Sequence, residues 1–162
     1  MSADDVAGTI ANLVPLVTSE TPAIEEYVEL RVPGVPIPVI GYVDVIEQDG
    51  VPCDLKTSSR AWSANKAQDE LQPIFYLAAL NQAGYDLNPD FKFRHYVFTK
   101  AKKPQVQVWE TTRTFSDLFW LFGLIADVWH GIEREVFPPS PVTWRCGEKY
   151  CEYWSICRGK VL

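Results

Sequence analysis

Apolar residues Val6, Ile10, Leu13, Val14 and Val17 recur at helical spacing and predict a first helix, bent or shortened by Pro15. After Thr18 to Pro22 the pattern becomes extended. A strand is expected over residues 23–32, stopped by Pro33-Gly34-Val35-Pro36, a second from about 37 to 47, and a third over 51–57. Asp49-Gly50 between the last two is a hairpin signal. Ser63 is placed to cap a helix running to Ala83 and ended by Gly84, with Leu71, Phe75, Ala78 and Ala79 as apolar positions. Pro73 interrupts it at a cost of roughly 3 kcal/mol, so the helix either kinks or restarts with Gln72 as cap and Pro73 in the first turn. Two further strands, 91–99 and 105–112, flank the basic turn Lys100-Ala101-Lys102-Lys103-Pro104. Thr114-Phe115-Ser116-Asp117 then opens a long apolar helix reaching about Glu135, which the Pro138-Pro139-Ser140-Pro141 run stops. The order α-β-β-β-α-β-β-α predicts an α/β domain around a mixed sheet over residues 1–136, with a cysteine-bearing tail, 137–162, packed on it.

Composition supports one sizeable core: of the 162 residues 47% are apolar, with six Trp, seven Tyr and eight Phe. No apolar run approaches the ~18 residues of a membrane span, and Met-Ser-Ala-Asp-Asp is no signal peptide, so a cytoplasmic protein is expected. In that compartment four cysteines point to metal ligation or burial more than to disulfides. The net charge of -6 opposes holding nucleic acid by bulk electrostatics, although a basic groove can be local on an acidic surface.

The hairpin carries the candidate chemistry. A two-residue loop at Asp49-Gly50 would set Asp44 opposite Leu55 and separate it from Asp54 across the sheet. A three-residue loop, Gln48-Asp49-Gly50 with Gly50 left-handed, sets Asp44 opposite Asp54 instead, and pairs Val43 with Leu55 and Val45 with Cys53 on an apolar reverse face. The three-residue loop is expected because it satisfies both faces. Opposed carboxylates have Cβ atoms ~5 Å apart and repel unless a cation lies between them. Magnesium suits such oxygen ligands, and Lys56 beside it can hold or help deprotonate an attacking water and stabilise charge on a phosphate. The competing reading is an ordinary hairpin with solvated carboxylates and a cross-strand ion pair to Lys56. Gln72 and Tyr76, four apart on the next helix, share one face. After Lys56, Arg60, Trp62 and Lys66 are candidates to meet a phosphate and a stacked base, or form a solvated helix start.

The series Gly41-Tyr42-Val43-Asp44, Asp54-Leu55-Lys56-Thr57 and Gln72-Pro73-Ile74-Phe75-Tyr76 resembles the PD-(D/E)XK nuclease superfamily, and in particular its RecB-like branch, which adds a Gln-x-x-x-Tyr motif. The resemblance implies a restriction-endonuclease-like core, α-β-β-β-α-β, with a mixed central sheet flanked by helices. It implies that Asp44, Asp54 and the Leu55 carbonyl bind Mg2+ or Mn2+, that Lys56 is catalytic, and that Gln72 and Tyr76 support the site or the DNA.

Cys146, Cys151 and Cys157 are similar to the C-terminal cysteines with which nucleases of this branch, CRISPR-associated ones included, close an iron-sulfur (4Fe-4S) cluster. Zinc, or three free thiols packed among Trp144, Tyr150, Tyr153 and Trp154, are the other readings. Those relatives carry a fourth cysteine before the first helix and a histidine on it, and this chain has neither there; Cys53 is expected in the core, and His95 and His130 lie far downstream. A shortened relative or fragment would account for both differences. Glu20, Glu25, Glu26 and Glu29 are candidates for the missing ligand.

The function this implies is a metal-dependent deoxyribonuclease hydrolysing phosphodiester bonds, an exonuclease in recombination, repair or phage DNA processing. The alternatives are a catalytically silent nucleic-acid-binding module and an iron-sulfur or zinc structural domain.

Overall fold

The computed structural model describes residues 23–100, 103–138 and 145–157. The expected first helix lies outside them. Five strands, β1 (Ala23–Leu30), β2 (Val39–Ile46), β3 (Pro52–Ser58), β4 (Lys92–Thr99) and β5 (Val106–Thr112), form one sheet in sequence order. All neighbours are antiparallel except β3 and β4, which run parallel and are joined by the helices α1 (Ala64–Asp69) and α2 (Gln72–Ala83). Two helices follow the sheet, α3 (Phe115–Glu133) and the four-residue α4 (Trp154–Cys157). This is the expected mixed sheet flanked by helices. None of the described helices is long and apolar enough to cross a membrane.

The chain divides into two compact units, Met1–Ala126 and Asp127–Leu162. In the first, α2 packs on the sheet through Leu77, Ala78, Ala79 and Leu80, which meet Val28, Leu30, Val43, Ile46 and Phe93. α2 is a restart and not a kink. Its cap residue is Leu71 and not the expected Gln72, which is already helical, and Pro73 sits in the first turn, where no amide hydrogen is required. The preceding α1 starts at Ser63, whose hydroxyl accepts from Lys66 N at 3.3 Å. At the start of α3, Asp117 Oδ2 accepts from Thr114 N at 2.7 Å, and Asp117 N donates back to Thr114 Oγ1 at 3.3 Å. This reciprocal pair satisfies two amides the helix cannot.

The β2–β3 turn has the expected length. Glu47 N donates to Val51 O and Gly50 N to Glu47 O, leaving Gln48, Asp49 and Gly50 as the loop, and Gly50 is left-handed at φ +74°. Val45 therefore pairs with Cys53 and Ile46 with Pro52.

The reverse face departs from expectation. Val45 and Cys53 do pack together, with Tyr96, but Val43 packs into the α2 core and Leu55 is 43% exposed. Val43 and Ile46, three residues apart, share the α2 core, which a strand of strict period two does not allow. The break falls at Asp44. β1 and β2 pair at Ile24 with Val45 and at Glu26 with Val43, yet the intervening Glu25 and Asp44 form no pair, and Glu25 has φ +52°. Period two alone gives no sign of such a break.

Candidate active site

The break in β2 determines where Asp44 points. Its Oδ2 accepts the Leu55 backbone N–H at 2.7 Å, so beyond Val45 and Cys53 a side chain replaces the β2–β3 ladder bond. Burial raises the Asp44 pKa, the Leu55 amide opposes this, and the nearby Asp54 charge raises it further. The two carboxylates are thus close enough for the charge of one to act on the other.

Asp54 is 3% exposed. The Lys56 ammonium lies 2.7 Å from its Oδ2, but obliquely, and among the described residues that buried oxygen has no aligned hydrogen-bond donor. Lys56 Nζ donates instead to Gln72 Oε1 at 2.6 Å. Gln72 Nε2 donates to the Tyr76 hydroxyl at 2.9 Å, which donates to the Tyr42 carbonyl at 2.6 Å. This relay ties α2 to both β2 and β3. The contact requires α2 to approach β2 closely at Gly41, where a Cβ would lie 2.6 Å from Phe75 and 3.1 Å from Tyr76.

The arrangement suits a divalent cation. A buried carboxylate oxygen without an aligned donor, beside a second carboxylate that it destabilises, is a site whose charge a cation would offset. No three His, Cys, Asp or Glu side chains converge among the described residues, so the side chains that could hold it are the two carboxylates, Asp44 and Asp54. Magnesium accepts such a set because it keeps several waters.

His95 was not foreseen here. Parallel pairing puts it beside Asp54, and the imidazole is fully buried between Phe93 and Trp62, at ring distances of 5.0 and 5.2 Å. Neither ring nitrogen has a partner among the described residues. Burial, assisted by the Lys56 charge, lowers its pKa to about 4, so it is neutral. The sequence signal was the alternation Phe93, His95, Val97, which marks three inward positions, but only the β3–β4 register reveals the neighbour.

The candidates beyond Lys56 are placed differently from one another. Trp62 is 9% exposed, packed on Ala67 and Val97, and its backbone N–H donates to Gln107 Oε1 at 2.7 Å. It cannot stack on a base. Lys66 lies 4.4 Å from the Trp62 ring and pairs with Glu70 at 2.6 Å, so its charge is already compensated. Arg60 is exposed, with no carboxylate partner among the described residues. Of the glutamates considered as a further ligand, Glu26 accepts from the Tyr85 hydroxyl and Glu29 pairs with Arg31. Glu25 is exposed and unpaired in the β1–β2 ladder, between the Ile24–Val45 and Glu26–Val43 pairs, while Glu20 is outside the described residues.

Cys53 is fully buried, as expected, and burial raises its pKa strongly. In the second unit Cys146 and Cys151 are half-buried and Cys157 is exposed, all as free thiols. No three ligand side chains gather among the described residues, so nothing here supports the expected iron-sulfur or zinc set.

Comparison with known proteins adds the family. The fold is similar to that of the "Putative exonuclease" from Eubacterium rectale, with a TM-score of 0.62 and 11% identity over 96% of this chain and 60% of that one. It is also similar to that of the protein SSO0001, with a TM-score of 0.51 and 19% identity over 96% of this chain and 68% of that one. This chain therefore spans only 60% of the length of the Eubacterium rectale protein. A search of curated proteins gives no match. The model of the PD-(D/E)XK nuclease superfamily matches residues 7–158, which contain every element described above, and the chain belongs to that superfamily.

Proposed function

We propose that the protein is a Mg2+- or Mn2+-dependent deoxyribonuclease of the RecB-like kind, an exonuclease acting in the cytoplasm in recombination, repair or phage DNA processing. The observation that carries this reading is the relay from Tyr42 through Tyr76 and Gln72 to Lys56, which holds an ammonium beside the buried Asp54. An ordinary hairpin ion pair would not need a helix to position its lysine.

Asp44, Asp54 and the Leu55 carbonyl would hold the cation, which when bound lowers the pKa of water and offsets phosphate charge. Lys56 Nζ, held between Asp54 Oδ2 and Gln72 Oε1, presents positive charge to the phosphate oxygens as the attack proceeds. Gln72 supplies an acceptor, so it orients the ammonium without competing for its charge. Tyr76 fixes Gln72 by accepting from its amide while donating to Tyr42, a role that needs the hydroxyl protonated; its burial raises its pKa, which keeps it so. The tail cysteines have no part in this reading.

The test is cleavage of end-labelled single- and double-stranded DNA with Mg2+ or Mn2+, beside Lys56→Ala. Loss of one such charge-stabilising group lowers the rate by about 100- to 1000-fold. Equal cleavage by the variant refutes the mechanism, and DNA binding by the parent without cleavage identifies a silent binding module.

A further inference from the structure

Resting on the nuclease reading, we infer that Arg60, Lys100 and Lys103 form a phosphate-binding rim, over which the nucleic acid strand leaves the site across the C-terminal ends of β3 and β4. In the first unit, most described cations are already compensated. Arg31 pairs with Glu29, Lys56 with Asp54, Lys66 with Glu70 and Lys92 with Glu110, while Arg94 is shared among Glu47, Asp49 and Glu110. Arg113 is buried and donates to the carbonyls of Gln68, Glu70 and Thr112. Among the described residues of that unit, Arg60, Lys100 and Lys103 remain exposed and without a carboxylate.

The backbone brings these three to one end of the sheet. Ser58 pairs with Thr99 at the last rung of the parallel ladder, and Lys100 N donates to Ser58 O at 2.7 Å. The Ser58 hydroxyl donates to Arg60 O at 2.6 Å, which turns the chain there. Thr99 and Gln105 close the loop that carries Lys103, with Thr99 N donating to Gln105 O at 2.9 Å and Gln105 N to Thr99 Oγ1 at 3.0 Å. Lys56 lies two residues before Ser58, about 7 Å along the strand, a length over which one DNA strand carries about two phosphates.

The other end of the same strands has the opposite character. Glu47, Asp49 and Glu110 surround Arg94 and Lys92 there, and Asp86 and Asp90 are on the loop before β4. That end is about 20 Å from Lys100 along β4 and would repel a polyanion. Within the described part of the first unit, the exposed cations without a carboxylate are thus gathered at one end of the sheet and an acidic cluster lies at the other, so a local basic edge can exist on a chain of net charge -6. Each phosphate neutralised by such a cation releases counterions, which makes binding salt-dependent.

The experiment measures affinity for a fluorescent DNA duplex against salt, with Ca2+ replacing Mg2+, for the parent chain, the triple variant Arg60→Gln, Lys100→Gln, Lys103→Gln, and the control Arg31→Gln. Losing three phosphate contacts makes the log-log slope shallower by about 2.7, so between about 50 and 200 mM salt the triple variant loses roughly 40-fold less affinity than the parent. The control, whose cation Glu29 already compensates, keeps the parental slope. A parent that cleaves DNA while the triple variant shows its slope unchanged overturns the rim and leaves the nuclease reading standing. A parent that neither binds nor cleaves DNA overturns both.

Discussion

His95 makes the stability of this fold pH-dependent in a way that one substitution can isolate. The imidazole is fully buried, has no hydrogen-bond partner among the described residues, and has its pKa lowered from 6.5 to about 4, first by burial and then by Lys56. Below pH ~6.5 the unfolded chain takes up a proton that the folded chain refuses, so the stability present above that pH is lost progressively down to about pH 4. Moving a histidine pKa over that interval corresponds to about 3 kcal/mol. His95→Phe removes the titration in a site already lined by Phe93 and Trp62. Near pH 7 the variant is expected within about 1 kcal/mol of the parent, since a ring of similar shape replaces one whose polar atoms are unpaired. The assay is urea unfolding followed by tryptophan fluorescence between pH 7 and 4.5. Surface carboxylates titrate near the lower end in both proteins and cancel in the difference. That difference should shift in favour of the His95→Phe variant as pH falls. A difference constant with pH, or a native His95 titrating near 6.5 by NMR, refutes the reasoning.

Two glycine substitutions probe how the hairpin and α2 hold the site. Gly50→Ala would place a Cβ 2.7 Å from the Asp86 carbonyl at a left-handed position, and should cost at least about 2 kcal/mol in urea unfolding; a neutral result would mean the loop relaxes into another register. Gly41→Ala would press on Phe75 at 2.6 Å and Tyr76 at 3.1 Å, costing about 1–3 kcal/mol and displacing the hydroxyl that fixes Gln72. Its cleavage of DNA should therefore fall further than its stability accounts for, and parental cleavage by a folded Gly41→Ala would remove the relay from the mechanism.

What was legible in the sequence is local. The loop length followed from Asp49-Gly50 together with an apolar reverse face, of which the Val45–Cys53 half holds and the Val43–Leu55 half does not, and the α2 restart followed from the missing amide hydrogen of Pro73. The reciprocal Thr114–Asp117 cap lay in four consecutive residues. What was not legible depends on elements distant in sequence. Trp62 looked available to a base because its local segment is polar, whereas Ala67, Val97 and Trp109 enclose it once β4 and β5 are in place. His95 meets Asp54 only through a parallel pairing spanning two helices.

The break at Asp44 shows why the candidate site itself was half legible. Strict alternation keeps Asp44 and Asp54 together only by sending Val43 to the reverse face, yet Val43 is needed in the α2 core. Interrupting the ladder at Glu25 and Asp44 satisfies both demands. Val43 stays under α2, Val45 meets Cys53, and the freed Asp44 carboxylate takes the Leu55 amide that the ladder would otherwise have used. The left-handed Glu25 is where the backbone absorbs this, at a conformational cost of order 1–3 kcal/mol. A strand that alternated perfectly would leave the Leu55 amide paired to β2 backbone, and Asp44 would lose the bond that aims it. Strain at Glu25 and chemistry at Asp44 fall at the same interruption of the β1–β2 ladder, because the carboxylate is held by departing from the regular strand.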